Sequence, residues 1–582
     1  MSQMHNPYAE ERDHTVFEIG HMVSWLIAIL FFLILAIPPL FEHVFKISKG
    51  EWKETPTGEL LSWNPGGEKT LLEHIRWVEG DLDSASYSTE IRKTTQAWLS
   101  RQFGEGNSKT FIGFEGWLYY RPDLKALTGH GPLKKEPVSV MKAPELAKLP
   151  ESREVILNFA RQLEERGVKL LLVPVPLKTM IYPEFVSPDI KKAWITHPDA
   201  PAYYELLRSK GVDVLDLTAE LAEVRNKRQY VYIREPDRRD REAVKEAQEA
   251  EKKLQEAFLM QDTHWTPDGM RTVAEFTADY IKKHYPEAVA AKSPELIRAE
   301  NGIYRNSLGD LVKLLDPKNP DKLFPEEEVF LSVIGEGTQS KDSPVVLLGD
   351  SFVNIFNDPS IGFGDPSDLE SNKPVRAGFA QHLSLLLQKP LDIIAQNGKG
   401  ATGVRQEFAK RYDDEIRSKK LVVWVIAARD ILLSRTAAHQ ANINWNYVKF
   451  NPNQNPAKGQ QPVAQTPTTT AAQKIVIEAT MSEKSPNQDP NGTPYREALH
   501  TAVYDVEKVV EGSLEASQVI GVQWTFRNKE MQPTSKFVVG KRYKLTLVPW
   551  ESRSDMHLLN LEDTTLVFDA ARWFVESAEE IP

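Results

Sequence analysis

The chain has 582 residues, 41% of them hydrophobic and 26% charged, with no cysteine and a formal net charge of −11. That length exceeds one hydrophobic core, so roughly two to four domains are expected. The acidic balance argues against a nucleic-acid partner, since phosphate contacts need a basic face, and the missing cysteines remove disulfides, zinc–thiolate sites and thiol catalysis.

Residues 1–21 form a short N-terminal tail, expected to be cytoplasmic. Residues 22–41, MVSWLIAILFFLILAIPPLF, carry no charge. About 20 apolar residues suffice to cross a bilayer as a helix, so this run is expected to be a transmembrane anchor. It is not read as a cleaved signal, because the preceding segment is not basic and no small-x-small site follows. Only Arg12 precedes the run, whereas Lys46, Lys49 and Lys53 follow it. The positive-inside rule alone would keep the bulk of the chain in the cytoplasm.

Residues 42–70 read as a tether, and 71–449 as one large α/β domain. A helical stripe over 70–103 leads into the aromatic, β-prone FIGFEGWLYY (111–120). An amphipathic helix from 151 stops at Gly167. Buried strands follow at 168–176, 212–217, 345–352, 389–396 and 419–430, with helices between them. This alternation predicts a mostly parallel sheet covered on both faces. The charged stretch 234–257 reads as a solvated inserted helix. Residues 450–473, rich in Pro, Gln, Asn and Thr, read as a linker. Beyond it, 474–582 contains short β-type runs, among them SKFVVG and TTLVFD. These predict a small all-β domain, either a sandwich or a partly open barrel.

The chemistry concentrates at two places. In VVLLGDSF (345–352) a buried strand runs into Ser351. Sites in open α/β sheets lie beyond the carboxyl ends of strands, which is where a serine nucleophile belongs. In MQDTHWTPDGM (260–270), Asp262 and His264 are one residue apart. In an extended segment their side chains share a face, so Asp262 could orient His264 as a base for Ser351. A single histidine beside carboxylates is poor evidence for a transition metal, and no metal or cofactor is expected.

Four stretches, GFEGWLYY (113–120), DTHWTPDG (262–269), SLGDLVKLL (307–315) and GDSF (349–352), together resemble the SGNH-hydrolase-like alginate O-acetyltransferase family of AlgJ and AlgX type. The likeness covers roughly residues 75–435, with the Asp–His pair ahead of the serine as in that family. The resemblance implies a flavodoxin-like SGNH-type α/β/α sandwich and a catalytic triad of Asp262, His264 and Ser351. It also implies O-acetyl transfer to an exported polysaccharide outside the cytoplasmic membrane. The acetyl group would come from a multi-spanning membrane acyltransferase, and the anchor would be oriented against the charge count. It further implies an oxyanion hole from the Ser351 amide and Asn397, with Gly398 or Gly400 beside them. Arg405 is a candidate contact for an anionic sugar. Trp117, Tyr119 and Tyr120 could stack on a sugar ring, though an aromatic hairpin in the core is the competing expectation. The same triad could serve an acetyl-esterase, and a non-catalytic scaffold of an export complex is the alternative from another class.

Overall fold

A computed structural model describes residues 86–134, 149–225, 256–290, 297–450 and 474–581, with isolated gaps inside these ranges, and a few single positions before 86. The chain divides into two compact units, 1–95 and 96–582. Among the described residues no helix is long and apolar enough to cross a membrane. The run 22–41 lies almost wholly outside those residues, as do the tether 42–70, nearly all of the charged insertion 234–257 and the linker beyond Phe450.

A hairpin of β1 (Thr110–Ile112) and β2 (Leu118–Tyr120) comes first. Next come β3 (Lys169–Val175) and β4 (Asp213–Val214), then a second hairpin of β5 (Ile303–Ser307) and β6 (Glu327–Leu331). The remaining strands of this half are β7 (Val345–Gly349), β8 (Asp392–Ala395) and β9 (Leu421–Ala427). β3, β4, β7, β8 and β9 form one sheet in the order β4-β3-β9-β7-β8, with every pairing parallel. Every residue of β7 and β9 is buried, which is why both read as unbroken apolar runs instead of alternating ones. The helix Ser152–Glu164 covers one face with Val155, Ile156, Phe159 and Leu163, spaced at helical intervals.

Counted from β7, the strand order becomes 2-1-3-4-5, that of flavodoxin-like folds. The chain is a circular permutation of that order, and the permutation explains why the Asp–His pair precedes the serine. The order reverses between β7 and β9, so their carboxyl ends flank the crevice where such sheets bind ligands.

The C-terminal part consists of β10 (Ile475–Lys484), β11 (Ala498–Glu511), β12 (Gln518–Arg527), β13 (Glu530–Met531), β14 (Arg542–Pro549), β15 (Asn560–Glu562) and β16 (Arg572–Ile581). Five of these strands close a barrel. β10 pairs with β11, β11 with β12, β12 with β16, β16 with β14, and β14 with β10 again. Ile475, Ile477, Ala479 and Met481 alternate inward and meet Tyr543, Leu545 and Leu547 from β14 in a core separate from that of the α/β half. The segment SKFVVG is no strand. It is a short 3-10 turn at Pro533–Lys536 followed by exposed Val538 and Val539, before Gly540 at φ +87. The turn seats Phe537 flat on Tyr543, with ring centroids 4.1 Å apart, and that contact overrides the local β-propensity. Most of TTLVFD lies outside the described residues.

Candidate active site

Ser351 opens the short helix Ser351–Asn354 directly after β7. Asp350 caps this helix, its Oδ1 accepting from the Phe352 amide at 2.9 Å. The Ser351 amide is the first of the helix and has no carbonyl one turn back to receive it. The Ser351 Oγ lies 2.8 Å from His264 Nε2, and His264 Nδ1 lies 2.5 Å from Asp262 Oδ1. An ionised carboxylate can only accept, so Nδ1 carries the proton and Nε2 accepts from the serine hydroxyl. The three side chains are buried.

The segment bearing Asp262 and His264 is bent, not extended. Asp262 Oδ1 also accepts from the His264 backbone amide at 3.0 Å, so a turn closed by the aspartate itself brings the pair together. Asp262 Oδ2 accepts from the Asp310 amide at 2.8 Å, and Asp310 Oδ1 accepts from the Thr263 amide at 2.7 Å. The two loops thus hold each other by reciprocal side-chain-to-backbone bonds. Asp262, His264 and Asp310 offer three ligand atoms within 4.8 Å of one another. Hydrogen bonds already engage every carboxylate oxygen of the two aspartates, Thr263 Oγ1 donating to the last of them. The cluster therefore reads as a hydrogen-bonded relay, and a metal would have to displace those bonds. Gly309 is needed here, since a Cβ on it would stand 2.1 Å from the Gln261 carbonyl oxygen.

Buried Lys178 and half-buried Glu327 clamp the same loop from behind. The Lys178 ammonium donates to the carbonyls of Leu259, Met260 and Asp262 at 3.0, 3.0 and 2.6 Å. Burial pulls its pKa down to about 8, with Glu327, Asp262 and Asp310 opposing. Glu327 accepts from the amides of Met260 and Gln261 at 2.6 and 2.8 Å, and burial pushes its pKa up to about 7. For His264, burial favours the neutral ring. The Asp262 carboxylate and its hydrogen bond, with Asp310 and Asp350 beyond, outweigh that and raise its pKa above the ordinary value.

The triad opens into a cavity of about 390 Å³ whose walls come from both halves of the unit. Tyr120, Gly398, Lys399 and Arg429 line it on the α/β side, and Gln488, Tyr495 and Asn560 on the barrel side. Tyr495 lines the same cavity as Ser351. Burial holds its phenol pKa well above the usual range, so the hydroxyl stays protonated. Its ring lies over Gly398, where a Cβ would stand 3.4 Å from Cε2.

Several residues singled out from the sequence sit elsewhere. Asn397 is buried behind the cavity, its Nδ2 donating to Asp358 at 2.7 Å and its Oδ1 accepting from Asn354 at 3.0 Å. One of its two amide hydrogens is engaged by Asp358. Gly400 instead packs on Asp350, with a Cβ there 2.7 Å from Oδ2. Trp117 and Tyr119 are 3% and 0% exposed, so neither can stack on a sugar. Trp117 stacks on Tyr182 and Phe185, while the Tyr119 hydroxyl donates to the Tyr182 carbonyl at 2.6 Å. Their hairpin supports the loop bearing Asp262 and His264 through the Leu118 amide, which donates to the Met260 carbonyl at 3.0 Å. Of the three aromatics only Tyr120 reaches the cavity. Arg405 is fully buried and holds the carbonyls of Ala401 and Asn446 at 2.7 and 3.0 Å. It packs on the rings of Phe159, Trp424 and Trp445, which makes it a core residue and no sugar contact.

Asp310 and Tyr495 were missed from the sequence. SLGD stood out as a motif, but nothing in it assigned Asp310 a partner. Tyr495 lies far along the chain in a segment with no motif.

A family model described as "SGNH hydrolase-like domain, acetyltransferase AlgX" matches residues 111–238 and 239–428, just over half of the chain. The chain is 28% identical over 378 residues to "Probable alginate O-acetylase AlgJ" of Pseudomonas aeruginosa, covering 62% of this chain and 81% of that one. Two solved structures are similar. The O-acetyltransferase domain of Pseudomonas putida AlgJ has a TM-score of 0.37 at 18% identity, covering 55% of this chain and 91% of that one. Pseudomonas aeruginosa AlgX has a TM-score of 0.36 at 13% identity, covering 74% and 89%.

Proposed function

We propose that this chain, which belongs to the AlgX-type family of SGNH hydrolase-like acetyltransferase domains, moves an acetyl group through an acetyl-Ser351 intermediate to a hydroxyl of an extracytoplasmic polysaccharide. The observation that carries this reading is the Asp262–His264–Ser351 relay at the carboxyl end of β7, with contacts of 2.5 and 2.8 Å. In the first half, the Ser351 Oγ forms a bond to the acetyl carbonyl carbon and its proton passes to His264 Nε2. The carbonyl pair moves onto oxygen, where the Ser351 amide is placed to receive it, with Tyr495 as a second donor nearby. When the carbonyl re-forms, the donor C–O bond breaks and the leaving oxygen takes the proton from His264. In the second half a sugar hydroxyl gives its proton to His264 and attacks the acetyl-serine, and Ser351 recovers its proton. No cofactor enters either half.

The setting belongs to the same proposal. Residues 22–41 anchor the chain in the cytoplasmic membrane with the bulk outside, 42–70 form the tether, 71–449 the transferase domain, 450–473 a linker and 474–582 the β domain. A multi-spanning membrane acyltransferase supplies the acetyl group. The alginate named for the relatives is the first acceptor to try. The test is product partitioning. With a chromogenic acetyl ester as donor, added oligomannuronate should divert acetyl from water to the sugar, read by mass spectrometry of the oligomer. Turnover that yields only free acetate with every oligosaccharide tried would make the protein an esterase, and no turnover at all would favour the scaffold.

A further inference from the structure

The segment from Leu259 to His264 closes on itself. Phe258 and Trp265 pair as an antiparallel bridge, and the Leu259 amide donates to the His264 carbonyl at 3.1 Å. Asp262 lies within the loop so formed. The backbone of this loop is held by groups from outside it. The Met260 and Gln261 amides go to Glu327, and the Gln261 carbonyl accepts from the Leu311 amide at 3.2 Å. The carbonyls of Leu259, Met260 and Asp262 converge on one point, and the Lys178 ammonium occupies it. Lys178 arrives there because it opens the short helix Lys178–Ile181 just beyond the carboxyl end of β3.

Backbone carbonyls converging on one point are how proteins hold hard cations. Here a tethered ammonium fills the cradle, and all three of its hydrogens go to backbone oxygens. The residue is 1% exposed, and Nζ lies 5.8 and 5.4 Å from the ring centres of Trp117 and Tyr119. The Tyr119 phenol stays neutral, since burial holds its pKa above the usual range. The charges that face the ammonium are Glu327 on β6, Asp262 in the loop, Asp310 after β5 and Asp123 on the helix Arg121–Thr128. Asp123 is itself paired with Arg429 at 3.1 Å. Lys178 lines no part of the serine cavity, so it reaches the chemistry only through the loop.

We infer that Lys178 is a positioning residue of the triad: its ammonium stands in for a bound cation in the carbonyl cradle of the 259–262 loop and so sets Asp262 against His264. The inference rests on the acetyl-transfer reading for what the triad does, but its test needs no acetyl transfer. The protonated form is required. A neutral amine has two hydrogens for three carbonyls, so one carbonyl loses its donor and the loop relaxes. Burial already pulls the Lys178 pKa down to about 8. Reactivity of Ser351 should therefore fall as the pH rises through about 8. A serine–histidine pair alone gives no such limb, because its base needs only to be neutral and higher pH favours that.

The experiment is the rate at which a fluorophosphonate labels Ser351 in the full chain, followed by intact-mass spectrometry from about pH 6 to 10, with circular dichroism checking the fold over the same range. In that reaction Ser351 Oγ bonds to phosphorus, fluoride leaves and the serine proton goes to His264, so the rate reports activation of the serine with no acetyl donor or acceptor present. The wild type should label along a bell whose alkaline limb lies near 8, the pKa of Lys178. Lys178→Met keeps the length of the side chain but donates nothing. It should label about 100-fold more slowly at neutral pH, in the maximal rate and not in the affinity for the probe, and should lack the alkaline limb. A folded Lys178→Met that labels at the wild-type rate, or that keeps the limb, would overturn the inference. If Lys178→Met does not fold, the wild type decides, since a folded chain whose labelling stays level to about pH 10 would overturn it equally. The expected pattern in a chain that transfers no acetyl would count against the proposed function alone.

Discussion

Ser351→Ala in the full chain should lower turnover of a chromogenic acetyl ester by roughly 10³-fold or more, and His264→Ala by a similar factor. A serine hydroxyl is a poor nucleophile at neutral pH. Its activation depends on the proton it passes to His264 Nε2, 2.8 Å away. The double variant should be little worse than either single one, because neither residue has a task once the other is gone. Ser351→Ala shortens a side chain beside the cavity without stranding a buried charge, so its thermal midpoint should fall by only a few degrees, whereas His264→Ala takes the Nδ1–H partner from the buried Asp262 carboxylate and should lower it further. Factors that multiply in the double variant would show that the residues act separately, and a folded, fully active Ser351→Ala would return Gly-Asp-Ser to the status of a turn.

Asp262→Asn should also cost roughly 10³-fold, for a reason the hydrogen bonds make specific. Asp262 accepts from three N–H groups, the His264 amide, His264 Nδ1 and the Asp310 amide. An asparagine has one acceptor oxygen and one donor nitrogen. With its nitrogen toward His264, the ring is driven to the tautomer with Nε2 protonated, which cannot accept from Ser351. With its nitrogen toward Asp310, two donors face each other and the loop is pushed apart. A pH profile adds a second readout. The base must be neutral, so activity rises with pH through the His264 pKa. Burial depresses that pKa, but the Asp262 carboxylate and its neighbours lift it above the ordinary value. The acidic limb of kcat/KM should therefore lie above about 6.5 in the wild type. In Asp262→Asn the lifting charge is gone while the burial remains, so the limb should move to lower pH. A limb that stays in place would mean that Asp262 does not set the charge state of His264.

The triad was legible because its signals are local. A buried strand ending in Gly-Asp-Ser places Ser351, and Asp-x-His places its base. The geometry joining Asp262 to His264 was not legible: the contact comes from a turn that Asp262 closes on its own loop, in place of the shared strand face expected. The parallel sheet followed from unbroken apolar runs such as Leu421–Ala427, which can be buried on both faces only between two layers of cover. Its strand order did not, because order depends on which crossovers pack together. The surroundings of Asn397 were not legible for a related reason: Asp358 and Asn354, which engage its side-chain amide, come from another segment. Arg405, a candidate sugar contact on the sequence alone, is buried because three aromatic rings from distant elements pack around it. Tyr495, Gln488 and Asn560 carried no signal at all, since their place in the site exists only once the barrel has docked on the sheet.

Turnover should pass through a covalent acetyl intermediate on Ser351. The full chain, mixed with an acetyl ester at saturating concentration, quenched in acid within the first turnovers and digested, should yield one acetyl group on the peptide containing Ser351. That label should be lost when an acceptor sugar is added before the quench, and should never form in Ser351→Ala. Steady turnover with no acetyl on Ser351, or with the label on another residue, would contradict the mechanism.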